Sequence, residues 1–292
     1  MDSIQLKAMA KINLGLDVVR KREDGYHEVR MIMQTVNVYD KIELKKCQEP
    51  GISVTTNLHY LPVNENNLAY KAAKLLMDEF PSIPGVEIYL QKHIPVAAGM
   101  AGGSADAASV LFGMNRMFEL KLSLEELMSR GVKIGADVPY CLMRGTALAE
   151  GIGEKLTRLP SAPKCHVLLA KPSVNISTKF VYENLHANEL KPWQHPDIDG
   201  QIEAICRHDL KKMAALMGNV LETVTIPVCP VIAQIRDFMK ERGALNAMMS
   251  GSGPTVFGLY DDEEKAKNAY WELKGTDLAA QVLLTRMFYT AY

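Results

Sequence analysis

The chain has 292 residues, 48% of them apolar, enough for a full core in one large domain or two modest ones, and this excludes a disordered chain. Its 33 basic and 34 acidic residues leave a formal charge of -1, which points to neither nucleic acid nor an anionic membrane surface as partner. Cys47, Cys141, Cys165, Cys206 and Cys229 are odd in number and widely spaced, with no Cys-x-x-Cys pair, as expected of free thiols in a reducing cytosol. Met1 to Lys7 lacks an apolar signal core, and no apolar run is long enough to span a bilayer, so a cytoplasmic protein is expected.

Ile4 to Val19 reads as extended, followed by a polar turn at Arg20–Gly25. His27–Val38 and Lys41–Lys45 read as two strands joined at Tyr39-Asp40, and the β-branched run Ile52–Thr56 as another. Leu68, Ala72, Leu75 and Leu76 predict a helix from Asn66 to Phe80, stopped by Pro81. Val86, Ile88 and Leu90 alternate in a strand that runs into a glycine-rich loop, and Ser104–Phe118 follows as a helix. Ser123-Leu124-Glu125-Glu126 is a capping box opening a short helix that ends near Gly131. Leu-Pro-Ser-Ala-Pro at residues 159–163 interrupts both periodicities and predicts a domain seam. Beyond it, His166–Ala170 reads as a strand and Glu189–Gly200 as a loop. Ile202–Leu216 and Pro230–Arg242 read as helices, Leu245–Met249 and Thr255–Tyr260 as strands, Glu263–Lys274 as a helix and Gln281–Tyr289 as a closing strand. This order suits an α+β half, with helices over an antiparallel sheet.

The most informative segment is Pro95 to Ala108, a run of Gly, Ala and Ser leading into a helix. A backbone this bare can converge its N–H groups on an anion at a helix start, where the dipole also favours negative charge. No Gly-Lys-Ser/Thr follows, so it is not a Walker A loop, and the glycine spacing is wrong for a dinucleotide fingerprint. Tight helix packing is the alternative reading. Lys11 and Asn13 share one face of a strand, either gripping an anionic or hydroxyl-rich ligand or forming the exposed face of an edge strand. Asp137 lies in the bend Gly135-Ala136-Asp137-Val138-Pro139, either beside a substrate hydroxyl or as a helix N-cap. Ser250-Gly251-Ser252-Gly253-Pro254 reads on composition as a β-turn between strands, and the Glu150–Glu154 segment as a surface turn. Tyr26 can stack on a planar base, while His27 offers a donor and an acceptor, or both can simply decorate the strand end. No Gly-x-Ser-x-Gly elbow or zinc-type His/Cys cluster is present.

Together Ala10-Lys11-Ile12-Asn13-Leu14, Asp24-Gly25-Tyr26-His27, Gly102–Ala108, Gly135–Pro139 and Ser250–Pro254 resemble the superfamily of galactokinase, homoserine kinase, mevalonate kinase and phosphomevalonate kinase, the GHMP kinases. That superfamily carries, in order, an N-terminal basic strand, a phosphate loop of the type Pro-x-x-x-Gly-Leu-Gly-Ser-Ser and a late Gly/Ser turn. The resemblance covers nearly the whole chain. Within the superfamily it is strongest to members acting on a cytidyl diphosphate derivative of methylerythritol in the non-mevalonate isoprenoid route. It implies the α+β, two-domain GHMP-kinase fold: a ribosomal-protein-S5-like α/β domain over residues 1–160 and a ferredoxin-like α+β domain over 161–292. It also implies ATP-dependent phosphorylation of the tertiary C2 hydroxyl.

By the same resemblance, Asp137 would take the hydroxyl proton. Lys11 would orient Asp137 and offset charge on the transferring phosphoryl group. Pro95, Val96, Ala97, Ala98, Gly99, Met100, Ala101, Gly102, Gly103, Ser104 and Ala105 would hold the ATP phosphates. Asn13, Tyr26, His27 and Tyr182 would contact the cytidyl substrate. Magnesium is implied with the ATP. The superfamily commonly has two adjacent Ser where this chain has Ser104-Ala105, so no protein ligand for magnesium is named. A valine at Gly103 is expected to push N–H groups off the phosphates and to forbid any positive φ. Two other readings remain at this point: a kinase of another small alcohol, against which Asp24–His27 argues, and a non-catalytic nucleotide-binding regulator, against which Lys11 and Asp137 argue.

Overall fold

The computed structural model describes residues 1–289. Residues 290–292, which the expected C-terminal domain includes, lie outside the described residues. The chain forms two compact units, both discontinuous in sequence. The first comprises Met1–Ala10, Val38–Val96 and Ala101–Arg144, and the second Lys11–Asn37, Ala97–Met100 and Gly145 onward. They interleave along the chain, whereas the expected division at residue 160 is sequential.

Two long paired strands, β1 (Ser3–Lys21) and β2 (His27–Cys47), contribute to both units. In the first unit the C-terminal half of β2 pairs antiparallel with β4 (Gly85–Gln91), Lys41 opposite Gln91 and Cys47 opposite Gly85. β3 (Gly51–Thr56) adds in parallel on the far side of β4, Gly51 opposite Gly85. Ile42, Leu44, Val54, Val86, Ile88 and Leu90 are buried. The helices here are α1 (Leu68–Glu79), α2 (Gly102–Met117), α3 (Leu124–Val132) and α4 (Val138–Met143). Asn67 caps α1 by accepting from the Ala69 N–H, and Ser123 and Glu126 complete the expected capping box on α3. α1 buries Ala69, Ala72, Ala73 and Leu76, and the three alanines let it lie close against α2.

In the second unit the N-terminal half of β2 pairs with β5 (Thr146–Gly151), and β5 with β6 (Lys155–Arg158). A separate antiparallel sheet has the order β10-β7-β9-β8, from β7 (His166–Lys171), β8 (Asn246–Met249), β9 (Val256–Tyr260) and β10 (Gln281–Arg286). Its other helices are α5 (Thr178–Glu183), α6 (Ile198–Cys206), α7 (Leu210–Ala215), α8 (Glu222–Val228), α9 (Val231–Glu241) and α10 (Glu263–Lys274). α9 and α10 bury Ile232, Ile235 and Met239, and Ala266, Ala269 and Leu273, against this sheet.

Several elements differ from the sequence reading. β2 runs unbroken through Tyr39-Asp40, because the Asp40 carboxylate is buried and accepts backbone N–H groups instead of making a turn. The expected helix 202–216 is two helices, α6 and α7. His208 at φ 55 breaks the run, and Asp209 caps α7 by accepting from the Lys212 N–H. α6 starts inside the expected loop, capped by Asp197. β5 and β6 make a hairpin around the turn at 150–154, where Glu154 accepts from the Ile152 N–H at 2.7 Å.

Candidate active site

In the second unit, Lys11 and Asn13 on β1 are 5% and 0% exposed, which rules out the edge-strand reading. The Lys11 ammonium donates to Asn13 Oδ1 at 2.7 Å, and Asn13 Nδ2 lies 3.1 Å from Met31 Sδ on β2. Burying a cation is costly unless it is paired, and the Asn13 amide oxygen is one acceptor that offsets this cost. The Lys11 N–H donates to the Met100 carbonyl at 3.1 Å, tying β1 to the glycine loop.

That loop has left-handed φ at alternate residues: Ala97 (50°), Gly99 (71°) and Ala101 (55°). Against Ala97–Met100 sits the second Gly/Ser turn. Ser250 Oγ donates to the Gly99 carbonyl at 3.0 Å, and the turn, read on composition as a plain β-turn, is buried. A Cβ on Gly99 would overlap the Ser250 carbonyl oxygen and lie 3.2 Å from the Gly253 carbonyl oxygen, so only glycine fits there. Asn219 clamps the turn from outside, its Nδ2 donating to the Met249 and Gly251 carbonyls at 2.9 and 2.8 Å. Glu222 accepts from the Met249 N–H at 2.7 Å, and burial pushes its carboxyl above the ordinary value. Thr178 and Ser252 share a 2.8 Å hydrogen bond. Sequence reasoning missed Asn219, Glu222 and Thr178, because nothing local announces that a polar side chain turns back onto a distant turn.

The His27 and Tyr182 rings are 5.2 Å apart and tilted by 45°, so two residues 155 positions apart in the chain meet. Burial, with help from the nearby Lys21 charge, pushes the His27 imidazole below its ordinary value, and its buried Nε2 has no hydrogen-bond partner among the described residues. Tyr26 stands 61% exposed on the turn formed by Gly25, where Asp24 accepts its N–H at 3.1 Å.

In the first unit α2 starts immediately after Ala101, without a side-chain cap and with no acidic residue in its first turn. Its first N–H groups therefore favour an external anion, as the positive helix end does. Gly103 lies in that turn with helical φ and an exposed Cα, and a Cβ there would meet Leu68 at an ordinary 3.4 Å. Gly103 has no positive φ for a side chain to forbid, and the conformational constraint falls on Gly99 instead. Asp137 is half-buried at the start of α4, but its side chain makes no capping bond to that helix, so the cap reading fails in its usual form. Among the described residues, no group of three or more His, Cys, Asp or Glu is gathered for a metal ion.

The GHMP kinases N terminal domain family matches residues 67–145, and the GHMP kinases C terminal family matches 201–276. The 4-diphosphocytidyl-2-C-methyl-D-erythritol kinase of Lachnospira eligens is 60% identical over 288 residues, 99% of each chain. The chain belongs to the 4-diphosphocytidyl-2-C-methyl-D-erythritol kinase family of GHMP kinases. The kinase of that name from Lachnoclostridium phytofermentans is 58% identical, over 99% of this chain and 98% of its own. A crystal structure of a 4-(cytidine 5'-diphospho)-2C-methyl-D-erythritol kinase superposes with a TM-score of 0.83 at 29% identity, covering 97% of this chain and 99% of that one. A homoserine kinase from Cytophaga hutchinsonii reaches 0.80, but at 21% identity it shares the fold alone. Family membership thus selects among the small-alcohol kinases, where the fold by itself does not.

Proposed function

We infer that this chain is a kinase that transfers the γ-phosphoryl group of ATP to the C2 hydroxyl of 4-diphosphocytidyl-2-C-methyl-D-erythritol. The observation carrying this reading is the 60% identity to a kinase of that name across 99% of both chains. The bare loop and uncapped α2 supply the chemistry such a reaction needs at the nucleotide, because phosphoryl transfer depends on positioning and charge stabilisation. ATP supplies the phosphoryl group, and magnesium on its phosphates would neutralise developing charge. Residues Pro95 to Ala105 hold the phosphates by backbone N–H groups. Asp137 accepts the proton of the attacking hydroxyl, consistent with a carboxylate not spent on capping α4. Lys11, a buried cation, offsets the phosphoryl charge, and Asn13 beside it meets the substrate.

Tyr26 and Tyr182 provide aromatic faces for cytosine, and the orphan Nε2 of neutral His27 reads its polar edge. We keep a functional division near Pro160, with the phosphate loop, Lys11 and Asp137 before it and Tyr182 after it; the two family matches fall on either side of that point. We also place the enzyme in the cytoplasm, and no helix among the described residues is long and apolar enough to cross a membrane. The test is ADP release with the cytidyl diphosphate alcohol, homoserine and mevalonate in parallel. Turnover confined to the first supports the reading, and turnover of either other alcohol without the first overturns it.

A further inference from the structure

Three charged side chains are buried together in the first unit, outside every role assigned above. Asp40 is in the middle of β2, Lys92 follows β4 and Asp106 is in the second turn of α2, and their exposures are 0%, 8% and 3%. The Lys92 ammonium pairs with Asp40 and donates to Asp106 Oδ2 at 2.5 Å. The other oxygen of Asp40 accepts the backbone N–H groups of His93 and Ile94, at 2.5 and 2.8 Å. The chain thus enters the phosphate loop from two residues fixed by Asp40. It leaves through α2, whose Asp106 is fixed to the same ammonium. A Cβ on Gly102 would lie 3.5 Å from Lys92 Nζ, so the cation sits directly beneath the first residue of α2.

A cation at that place adds to the positive end of the helix and favours a bound anion. Two ionised carboxylates would more than cancel it, leaving a net negative charge in a dry site just under the anion. We propose that Asp40, Lys92 and Asp106 are a positioning clasp for the phosphate loop, and that the charge balance of the clasp sets the affinity of the loop for a nucleoside triphosphate. The proposal rests on reading Pro95–Ala105 as the phosphate site. Burial, with the Asp40 charge adding and Lys92 opposing, pushes the Asp106 carboxyl up to about 8, and its buried Oδ1 has no hydrogen-bond partner among the described residues. Burial works against the charge of Lys92, but the two carboxylates outweigh it and raise that ammonium above its ordinary value. With its proton on Asp106 the clasp is neutral. As that proton leaves, the clasp becomes negative beneath the loop, so affinity falls as pH rises.

The charged groups of the clasp come from β2 (Asp40), the end of β4 (Lys92) and α2 (Asp106). α1 turns apolar residues inward, and its Lys71, Lys74, Asp78 and Glu79 are exposed, Lys74 paired with Asp78 and Glu79 with Arg130 of α3. Glu126 of α3 is held by the N–H of Ser123, Glu125 and the side chain of His93 are exposed, and α4 contributes only Tyr140 and Cys141 as titratable groups.

The test is calorimetric titration of the full chain with magnesium-ATP from about pH 7 to about pH 9, where the nucleotide phosphates, with a last pKa of about 6, are already ionised. In the wild type, Kd should rise about 3- to 10-fold over this range, within the limit of tenfold per pH unit for one proton. Asp106→Asn keeps the shape and removes the charge, and its Kd should stay flat and near the wild-type value at pH 7. Steady-state kinetics should show the pH effect in KM for ATP and not in kcat, which a merely structural role would not do. If Asp106→Asn does not fold, proton uptake on ATP binding by the wild type at about pH 8, measured in two buffers of different ionisation enthalpy, decides the point: uptake supports the clasp and its absence overturns it. A flat wild-type Kd, or an unchanged slope in folded Asp106→Asn, also overturns it while leaving the phosphate-loop reading intact. A wild type that binds no ATP at any pH overturns both.

Discussion

Replacing Gly99 by alanine should damage this protein far more than the same change four residues later. At Gly99 the backbone has φ +71°, and a left-handed alanine costs about 1–2 kcal/mol. The new methyl would also meet the carbonyl oxygens of Ser250 and Gly253, backbone atoms of a turn that Asn219 holds through the Met249 and Gly251 carbonyls. Forcing such an overlap costs about another 1–3 kcal/mol, for a total of about 2–5 kcal/mol. For a chain of this size that is a drop of about 3–8 °C in thermal midpoint. Gly103 has helical φ and only an ordinary contact awaiting its Cβ. Gly103→Ala should therefore keep or slightly raise the midpoint, since alanine favours a helix over glycine by about 0.5–1 kcal/mol. Its effect should appear instead in KM for ATP, because Gly103 lies in the proposed phosphate-binding turn. Differential scanning fluorimetry and ATP kinetics on both variants check this. A Gly99→Ala protein with wild-type midpoint and wild-type KM for ATP would refute the packing argument.

Asp137→Asn should fold normally and lose about 10²- to 10⁴-fold in kcat, the usual cost of a general base; near-normal turnover would remove Asp137 from that role. Tyr26→Ala should raise KM for the cytidyl substrate about 5- to 150-fold and leave KM for ATP unchanged, because stacking is worth about 1–3 kcal/mol per base; steady-state kinetics in each substrate separate the two. The folded chain holds a proton on Asp106 up to about pH 8, whereas an unfolded Asp releases it near about 3.9, so this contribution to stability is present at acid pH and is lost as pH rises through the interval. Thermal midpoints should accordingly fall toward alkaline pH in the wild type, and less in Asp106→Asn.

What the sequence disclosed follows the range of the interactions involved. Periodicity located most of the strands and the longer helices, because their burial repeats every two residues or every three to four. The bare run before α2 was legible because missing side chains are themselves a local signal. The strand through Asp40 was misread for the opposite reason. An aspartate in an apolar run looks like a turn until its partners are known, and those partners, Lys92, His93 and Ile94, lie more than 50 residues away. Asn219 and Glu222 escaped notice in the same way, since they act on a turn 30 and 27 positions distant.

The two glycine segments make the general point. Composition marked one as a bare loop leading into a helix and the other as a β-turn, and the structure packs Gly99 against Ser250 and Gly253 so closely that only glycine fits there. Small residues serve here to let two backbones touch, and contact of that kind holds N–H groups rigidly without any side chain. A loop that must stabilise charge on a moving phosphoryl group gains from such rigidity, because donors already in place need no reorganisation as the charge develops. The buried Asp40–Lys92–Asp106 clasp serves the same end from beneath, by fixing the two chain segments between which the loop is strung. Polar side chains far apart in sequence do the holding, and in the proposed reading the glycines and alanines between them leave room for the phosphates.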